Sequence, residues 1–269
     1  MPIICQSSPP RMLSLPMIGN KLKRFNHNIN SLGLSRASKL FLSDHRSKLE
    51  VEGCSKSLKQ IVSTKPVLLI ANHEHELETV ALAAALPPRN DTYAIGVQAL
   101  CLLGDGFSKH IIPVYVRPES TSKSEMKLVS RIGRLLGLST DIPQDAHEFN
   151  KKSIDRAARL LSKGALVVIF PSGARKENRW HSGVGYLISK INPAANAFIV
   201  MSRISGTSEL DLLRLSSTLG RFFPPLKVKF AQPIPLNQYR QINDPKKIKA
   251  HLYQKYCQTF GLEELEYNG

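Results

Sequence analysis

The segment Asn72-His73-Glu74-His75-Glu76-Leu77-Glu78 gathers two imidazoles and three carboxylates within seven residues. It follows the apolar run Val67–Ala71 and precedes Thr79–Leu86, an Ala- and Leu-rich stretch stopped by Pro87-Pro88. A His at the end of a buried strand, with a carboxylate five residues later on the opening turn of a helix, can form an imidazole–carboxylate pair. The carboxylate fixes the ring tautomer and stabilises the imidazolium, so His73 could take a proton from a hydroxyl nucleophile, oriented by Glu78. Two other readings fit the same residues. The acids could decorate a solvated helix N-terminus, where negative charge suits the helix dipole. His73-x-His75 is also half of several metal motifs, but H-x-H-x-D-H needs Asp-His where Leu77 and Glu78 stand, and H-E-x-x-H fails at Leu77. No metal site is expected.

A second cluster is Phe170-Pro171-Ser172-Gly173-Ala174-Arg175, behind the apolar run Ala165–Phe170. Backbone N–H groups of a Gly-containing turn, together with a guanidinium, make a phosphate cradle. The segment is not G-x-S-x-G, which argues against Ser172 as a hydrolase nucleophile. A third run, Ile111–Val116, ends at Arg117, by itself either a solvated charge or an anion contact.

These groups need a scaffold that brings strand ends together. Short, continuous apolar runs such as Val67–Ala71 and Ala165–Phe170 read as strands buried on both faces of a parallel sheet. Ile111–Val116, Ala197–Arg203 and Lys227–Ala231 are further strand candidates. Between them lie helical patterns, including Thr79–Leu86 and Ser153–Lys163, the latter closed by Gly164. The alternation predicts an α/β fold with a mostly parallel central sheet flanked by helices. In such sheets ligands bind at the carboxyl ends of the strands, where all three polar clusters fall. Ser124–Leu138 is a basic amphipathic helix by pattern, either an ordinary surface helix or a membrane-surface contact.

The chain has 269 residues, 42% hydrophobic and 22% charged, which excludes a disordered or fibrous class. Lys and Arg total 37 against 21 Asp and Glu, a formal charge of +16 that attracts polyanions. The four cysteines, Cys5, Cys54, Cys101 and Cys257, lack zinc or disulfide spacing and suit a reducing compartment. No apolar run approaches the roughly 18 residues needed to span a bilayer. The first 43 residues carry six basic residues and no acid. That composition suits an organelle transit peptide or a basic surface segment touching anionic lipid, and the helix-like stretch Ile29–Leu42 could instead dock onto the domain. With one Trp and no recognisable binding signature, a nucleic-acid partner is not expected.

Taken together, N-H-x-x-x-x-[D/E] after a strand, an Arg ending a middle strand, and F-P-x-G-x-R after another strand resemble the glycerolipid acyltransferase family, over Leu49–Leu236. That family includes 1-acylglycerol-3-phosphate and glycerol-3-phosphate acyltransferases. Its H-x-x-x-x-D motif, with His as general base, maps onto His73 and Glu78. Its phosphate-holding Arg maps onto Arg117, and its F-P-E-G-T-R onto Phe170–Arg175, with Ser172 and Ala174 replacing Glu and Thr. P-S-G-x-R resembles the version in soluble plastid-type relatives, in which a basic residue near Lys152 assists phosphate binding. Ala231-Gln232-Pro233-Ile234 resembles a small-x-Pro-Ile segment of the same enzymes.

The resemblance implies a glycerol-3-phosphate acyltransferase-like domain at 49–240, a helical basic segment at 1–48, and a C-terminal helix in 241–269 packed on the same domain. It implies His73 and Glu78 as catalytic residues, and Arg117, Ser172, Gly173, Arg175 and Lys152 as substrate-binding. The donor would be acyl-CoA or acyl carrier protein, the acceptor a phosphorylated glycerol, and the location cytoplasmic or peripheral on an anionic membrane face, or an organelle if a transit peptide is present. No cofactor is implied. A non-catalytic lipid- or acyl-binding relative is the alternative, separated by whether His73 and Glu78 come within hydrogen-bond reach. A thioesterase, in which water replaces the acceptor, is a mechanistic neighbour.

Overall fold

A computed structural model of the protein describes residues 16–75, 77–115, 144–173, 180–208, 210–215 and 219–263. Among the described residues eight strands form one sheet: β1 (Leu49–Glu52), β2 (Val67–Ala71), β3 (Thr92–Val97), β4 (Ile111–Val114), β5 (Leu166–Ile169), β6 (Phe198–Ser205), β7 (Leu226–Phe230) and β8 (Ile234–Pro235). Their order is β1-β7-β6-β2-β5-β3-β4, with β8 beside β6. Among the described strands only the pairings of β6 with β7 and β8 are antiparallel, so the sheet is mostly parallel, as the alternating pattern predicts. Phe230 lies opposite Ser202 but Ile234 opposite Ile199. Four residues thus answer three, and the extra one is a bulge in the Ala231-Gln232-Pro233 segment.

The helices are α1 (Pro16–Leu32), α2 (Leu34–Asp44), α3 (Lys56–Thr64), α4 (Leu77–Ala85), α5 (Asp105–His110), α6 (Ala146–Ser162), α7 (Gly183–Lys190) and α8 (Pro245–Phe260). The stretch Ile29–Leu42 is not one helix but the end of α1 and most of α2, broken at Gly33. The helix expected at Ser153–Lys163 begins two turns earlier, at Ala146. Strands β1 and β3 and helix α3 carry no clear apolar run and escape a pattern reading; β1 is mostly exposed along its length. The basic helix expected at Ser124–Leu138, together with Arg117, Ala174 and Arg175, lies outside the described residues.

Side chains of β2 and β5 alternate between two cores. Leu68, Ile70, Val167 and Ile169 face the layer holding α6, α7 and α8. Val67, Leu69, Ala71, Leu166 and Val168 face the layer holding α3 and α4. Every residue of β2 is buried, each large aliphatic contributing about 1.5–3 kcal/mol of transfer free energy. This is the energetic reason that the strand preceding His73 sits in the middle of the sheet.

Helices α1 and α2 join this body rather than standing apart from it. Phe25, Ile29, Ala37 and Phe41 form a third cluster with Leu77 of α4 and with Leu215. Ser35 donates its hydroxyl to the Leu86 carbonyl at 2.6 Å, satisfying an acceptor left open at the end of α4. On the opposite face the Tyr256 hydroxyl of α8 donates to Ser202 O at 3.1 Å, and Trp180 packs edge-on to Tyr253 and Tyr256. At the amino-terminal edge of the sheet Arg89 pairs with Asp91 and donates to the carbonyls of Val62, Lys65 and Gly164. Among the described residues no helix is long and apolar enough to cross a membrane.

Candidate active site

Strand β2 ends at Ala71, and Asn72 fixes how the chain leaves the sheet. The Asn72 amide, 5% exposed, donates from Nδ2 to Ile204 O at 2.9 Å and accepts from Ile204 N–H at 2.7 Å through Oδ1. This side chain continues the β2–β6 ladder by one step, so the exit is at a defined point and His73 emerges at the carboxyl edge.

Glu78, in the first turn of α4, is 1% exposed. Its Oε2 accepts from His73 Nδ1 at 3.3 Å, from Glu74 N–H at 2.5 Å and from His75 N–H at 3.2 Å. Its Oε1 accepts from the Thr207 hydroxyl at 2.9 Å. A buried carboxylate is tolerable only when its lone pairs are used, and here four donors use them. The two backbone donors precede the helix, so the carboxylate closes the strand-to-helix turn while it holds the imidazole. The same oxygen, Oε2, thus serves His73 and the backbone of residues 74 and 75. Glu78 is a buried acid, whereas His73, Glu74 and His75 are half-buried.

His73 keeps 22% of its side chain exposed. With Nδ1–H donating to Glu78, Nε2 is the ring nitrogen that carries the lone pair. The Phe170 ring, at the carboxyl end of neighbouring β5, packs on the imidazole with ring centroids 4.9 Å apart, so the two sequence motifs meet.

Two bonds shape the described part of the turn after Phe170. The Gly173 N–H donates to Phe170 O at 3.0 Å, and the Ser172 hydroxyl, in a residue 1% exposed, is directed to Gly173 O at 3.3 Å. Neither donor projects from the turn, because both serve its own geometry. The third expected element is positioned from α6. Asn150 donates to Tyr115 O and accepts from Tyr115 N–H, both at 2.8 Å, and Ser153 donates to Pro113 O at 2.6 Å. These bonds hold α6 against the end of β4, two residues before Arg117. Lys152 lies between Asn150 and Ser153 and is exposed.

Thr207 is the residue that sequence reasoning misses. It follows Gly206, whose φ of +83° and close approach to Pro225 O, 2.1 Å from where a Cβ would stand, admit only glycine. A glycine at the end of the β6 run is the one local signal of a sharp turn there. The turn is anchored by Arg214, 1% exposed, which donates to Gly206 O, to Pro224 O at 2.8 Å and to Asp211 Oδ1 at 2.7 Å. Burial pushes the Asp211 carboxyl above its usual range, against the pull of Arg214. Among the described residues no three His, Cys, Asp or Glu side chains converge as metal ligands.

Curated proteins gave no match to this chain. Among solved structures the chain is similar to the 1-acyl-sn-glycerophosphate (LPA) acyltransferase PlsC from Thermotoga maritima, with 13% identity, a TM-score of 0.39, and coverage of 94% of this chain and 99% of that one. The model of the family described as Acyltransferase matches residues 48–204, a span that takes in β1 to β5 and most of β6, His73, Glu78 and the Phe170–Arg175 motif. That match covers more than half of the molecule, and the chain belongs to the acyltransferase family.

Proposed function

We propose that the enzyme moves a fatty acyl group from an acyl thioester, acyl-CoA or acyl carrier protein, to a hydroxyl of a glycerol-3-phosphate or lysophosphatidic-acid-type acceptor in phospholipid synthesis. The observation that carries the reading is the His73–Glu78 pair, at the carboxyl edge of a mostly parallel sheet, with Glu78 engaged behind the imidazole.

In the proposed reaction His73 Nε2 takes the acceptor's hydroxyl proton as the oxygen attacks the thioester carbonyl. The C–O bond forms, the C–S bond of the tetrahedral intermediate breaks, and the imidazolium returns its proton to the departing thiolate. Glu78 stabilises the imidazolium while it exists. A positioned general base contributes about 10²–10⁴-fold, and alignment of the two substrates adds more. No acyl-enzyme, metal or organic cofactor is needed for this sequence. Arg117, Arg175 and Lys152 are the proposed partners of the acceptor phosphate, while Ser172 and Gly173 keep the shape of the turn that carries Arg175. The net charge of +16 favours every anionic substrate involved.

The test is thiol release from long-chain acyl-CoA and acyl carrier protein, with and without glycerol 3-phosphate or lysophosphatidic acid, in wild type and His73→Ala. Acceptor-dependent release abolished by the substitution is the expected result. Acceptor-independent release would replace the transferase by a thioesterase, and absence of release with every pair would favour a lipid- or acyl-binding role.

A further inference from the structure

The segment that supplies Thr207 continues into an apolar surface that the site does not use. Leu210 precedes the helical turn Asp211–Arg214 and Leu213 lies within it, and they are 59% and 47% exposed. Leu219 precedes a second turn, Gly220–Phe222, and Phe222 ends it, and they are 42% and 71% exposed. In each pair the residues are three apart, so both side chains fall on one side of their turn. The turns are stacked on each other: a Cβ at Gly220 would stand 3.0 Å from Arg214 O and 1.9 Å from His45 O, a fit that only glycine allows. Beneath them, Arg214 and Leu215 are buried, and Lys21 donates to Leu215 O. The base is thus fixed while four large apolar side chains face water. A group of this size on one short segment marks an interaction surface.

Cations accompany it. Arg221 is exposed and its guanidinium lies 4.6 Å from the centroid of the Phe222 ring. Exposed Arg46 and Lys48 follow His45, whose carbonyl backs Gly220. Exposed apolar side chains with Arg221 on Phe222 match an anionic bilayer, which accepts the former at the acyl boundary and attracts the latter at the headgroups. A second copy of the chain is a poor occupant, because it brings the same cations and another +16.

We propose that Leu210, Leu213, Leu219 and Phe222, with Arg221, form a docking surface for an anionic phospholipid bilayer. Thr207, three residues before Leu210, bonds Glu78, so the segment that carries this surface also touches the carboxylate behind His73. This extends the lipid reading of the site to a place on the surface, and its test needs no turnover.

The experiment is vesicle co-sedimentation of the full chain with phosphatidylcholine vesicles and with vesicles containing phosphatidylglycerol. Wild type should partition into the anionic vesicles and weakly into the neutral ones. The double variant Leu213→Ser/Phe222→Ser should bind about tenfold more weakly or worse. Arg221→Glu should bind about fivefold more weakly at low salt. Tyr186→Ser, an exposed aromatic on α7, should bind as wild type does. Thermal melts identify any variant that fails to fold, and Arg221→Glu supplies an independent arm that leaves the apolar group intact. Wild type that ignores anionic vesicles, or patch variants that bind them as wild type does, would overturn the proposal. So would loss in these variants of self-association or of acyl carrier protein binding while vesicle binding persists.

Discussion

Thr207 and Glu78 stand 129 residues apart in the chain, yet the Thr207 hydroxyl donates to Glu78 Oε1 at 2.9 Å. One oxygen of the carboxylate is thereby reserved for the β6 turn, and the other for His73 and the two backbone donors ahead of α4. The relationship makes Thr207 a positioning residue for the imidazole, acting through the carboxylate.

Thr207→Val removes the only side-chain donor to Oε1 among the described residues and leaves a buried carboxylate oxygen unsatisfied. Folding stability should fall by about 1.5–3 kcal/mol. Acyl transfer should lose roughly tenfold in kcat with KM little changed, since the ground-state contacts of the substrates are untouched. Thr207→Ser should restore most of both. Steady-state kinetics beside a denaturant titration separate this role from a purely structural one, which would move stability and leave kcat alone.

Glu78→Gln tests charge at constant shape. The amide oxygen can keep the three donors of Oε2, and the amide nitrogen can donate to Thr207, whose hydroxyl also accepts. The fold should survive, while the loss of imidazolium stabilisation lowers kcat on the order of 10²–10⁴-fold. Glu78→Asp should retain more activity than Gln if its shorter arm still reaches His73. A Gln variant as active as wild type would remove the general-base role assigned to the pair.

Arg89 anchors the opposite end of the sheet. Its side chain is 7% exposed and its donors serve Asp91 and three carbonyls, those of Val62, Lys65 and Gly164. Arg89→Ala strands those carbonyls and should cost about 1–3 kcal/mol, on the scale of partly buried acceptors left without donors, Asp91 itself being half exposed. Thermal denaturation should show a fall in Tm of several degrees, with no specific change in KM at the remote site.

His45 gives stability a pH dependence. Its ring packs on Phe41 at a tilt of 47° and donates through Nδ1 to Phe41 O at 2.6 Å, and burial holds its pKa below the ordinary value of 6.5. The folded state therefore binds a proton more weakly than the unfolded chain. This contribution is complete above the unfolded value and is lost as pH falls through 6.5 toward the lowered folded pKa. Melts of wild type should drop as pH is lowered from about one unit above the ordinary His value to about one unit below it, and His45→Gln should flatten that part of the profile.

Much of the scaffold was legible because its signals are local. Val67–Ala71 is apolar over its whole length and is β2 with the same limits, since a strand buried on both faces needs no polar alternation. The runs at Ile111, Ala165, Ala197 and Lys227 became β4, β5, β6 and β7 for related reasons. An edge strand such as β1, with three of four residues exposed, has no such signature and is defined only by its pairing with β7. The helical hints in Ile29–Leu42 likewise did not say where those residues go. Docking of Phe25, Ile29 and Phe41 against Leu77 and Leu215 depends on surfaces that exist only after the sheet has formed.

At the site the division is the same. The sequence by itself determined that a His and a carboxylate stand five apart at the junction of a buried strand and a helix, and that Phe170 begins a second motif behind another strand. The tertiary structure decided that β2 and β5 are neighbours, so that Phe170 packs on His73. It also decided that Asn72 pins the exit from the sheet on Ile204, that Thr207 completes the carboxylate, and that the turn at Gly173 spends its own donors internally. The physical reason is reach: a hydrogen bond acts over about 3 Å, and which distant residues come within that distance is set by strand order and by the packing of both faces.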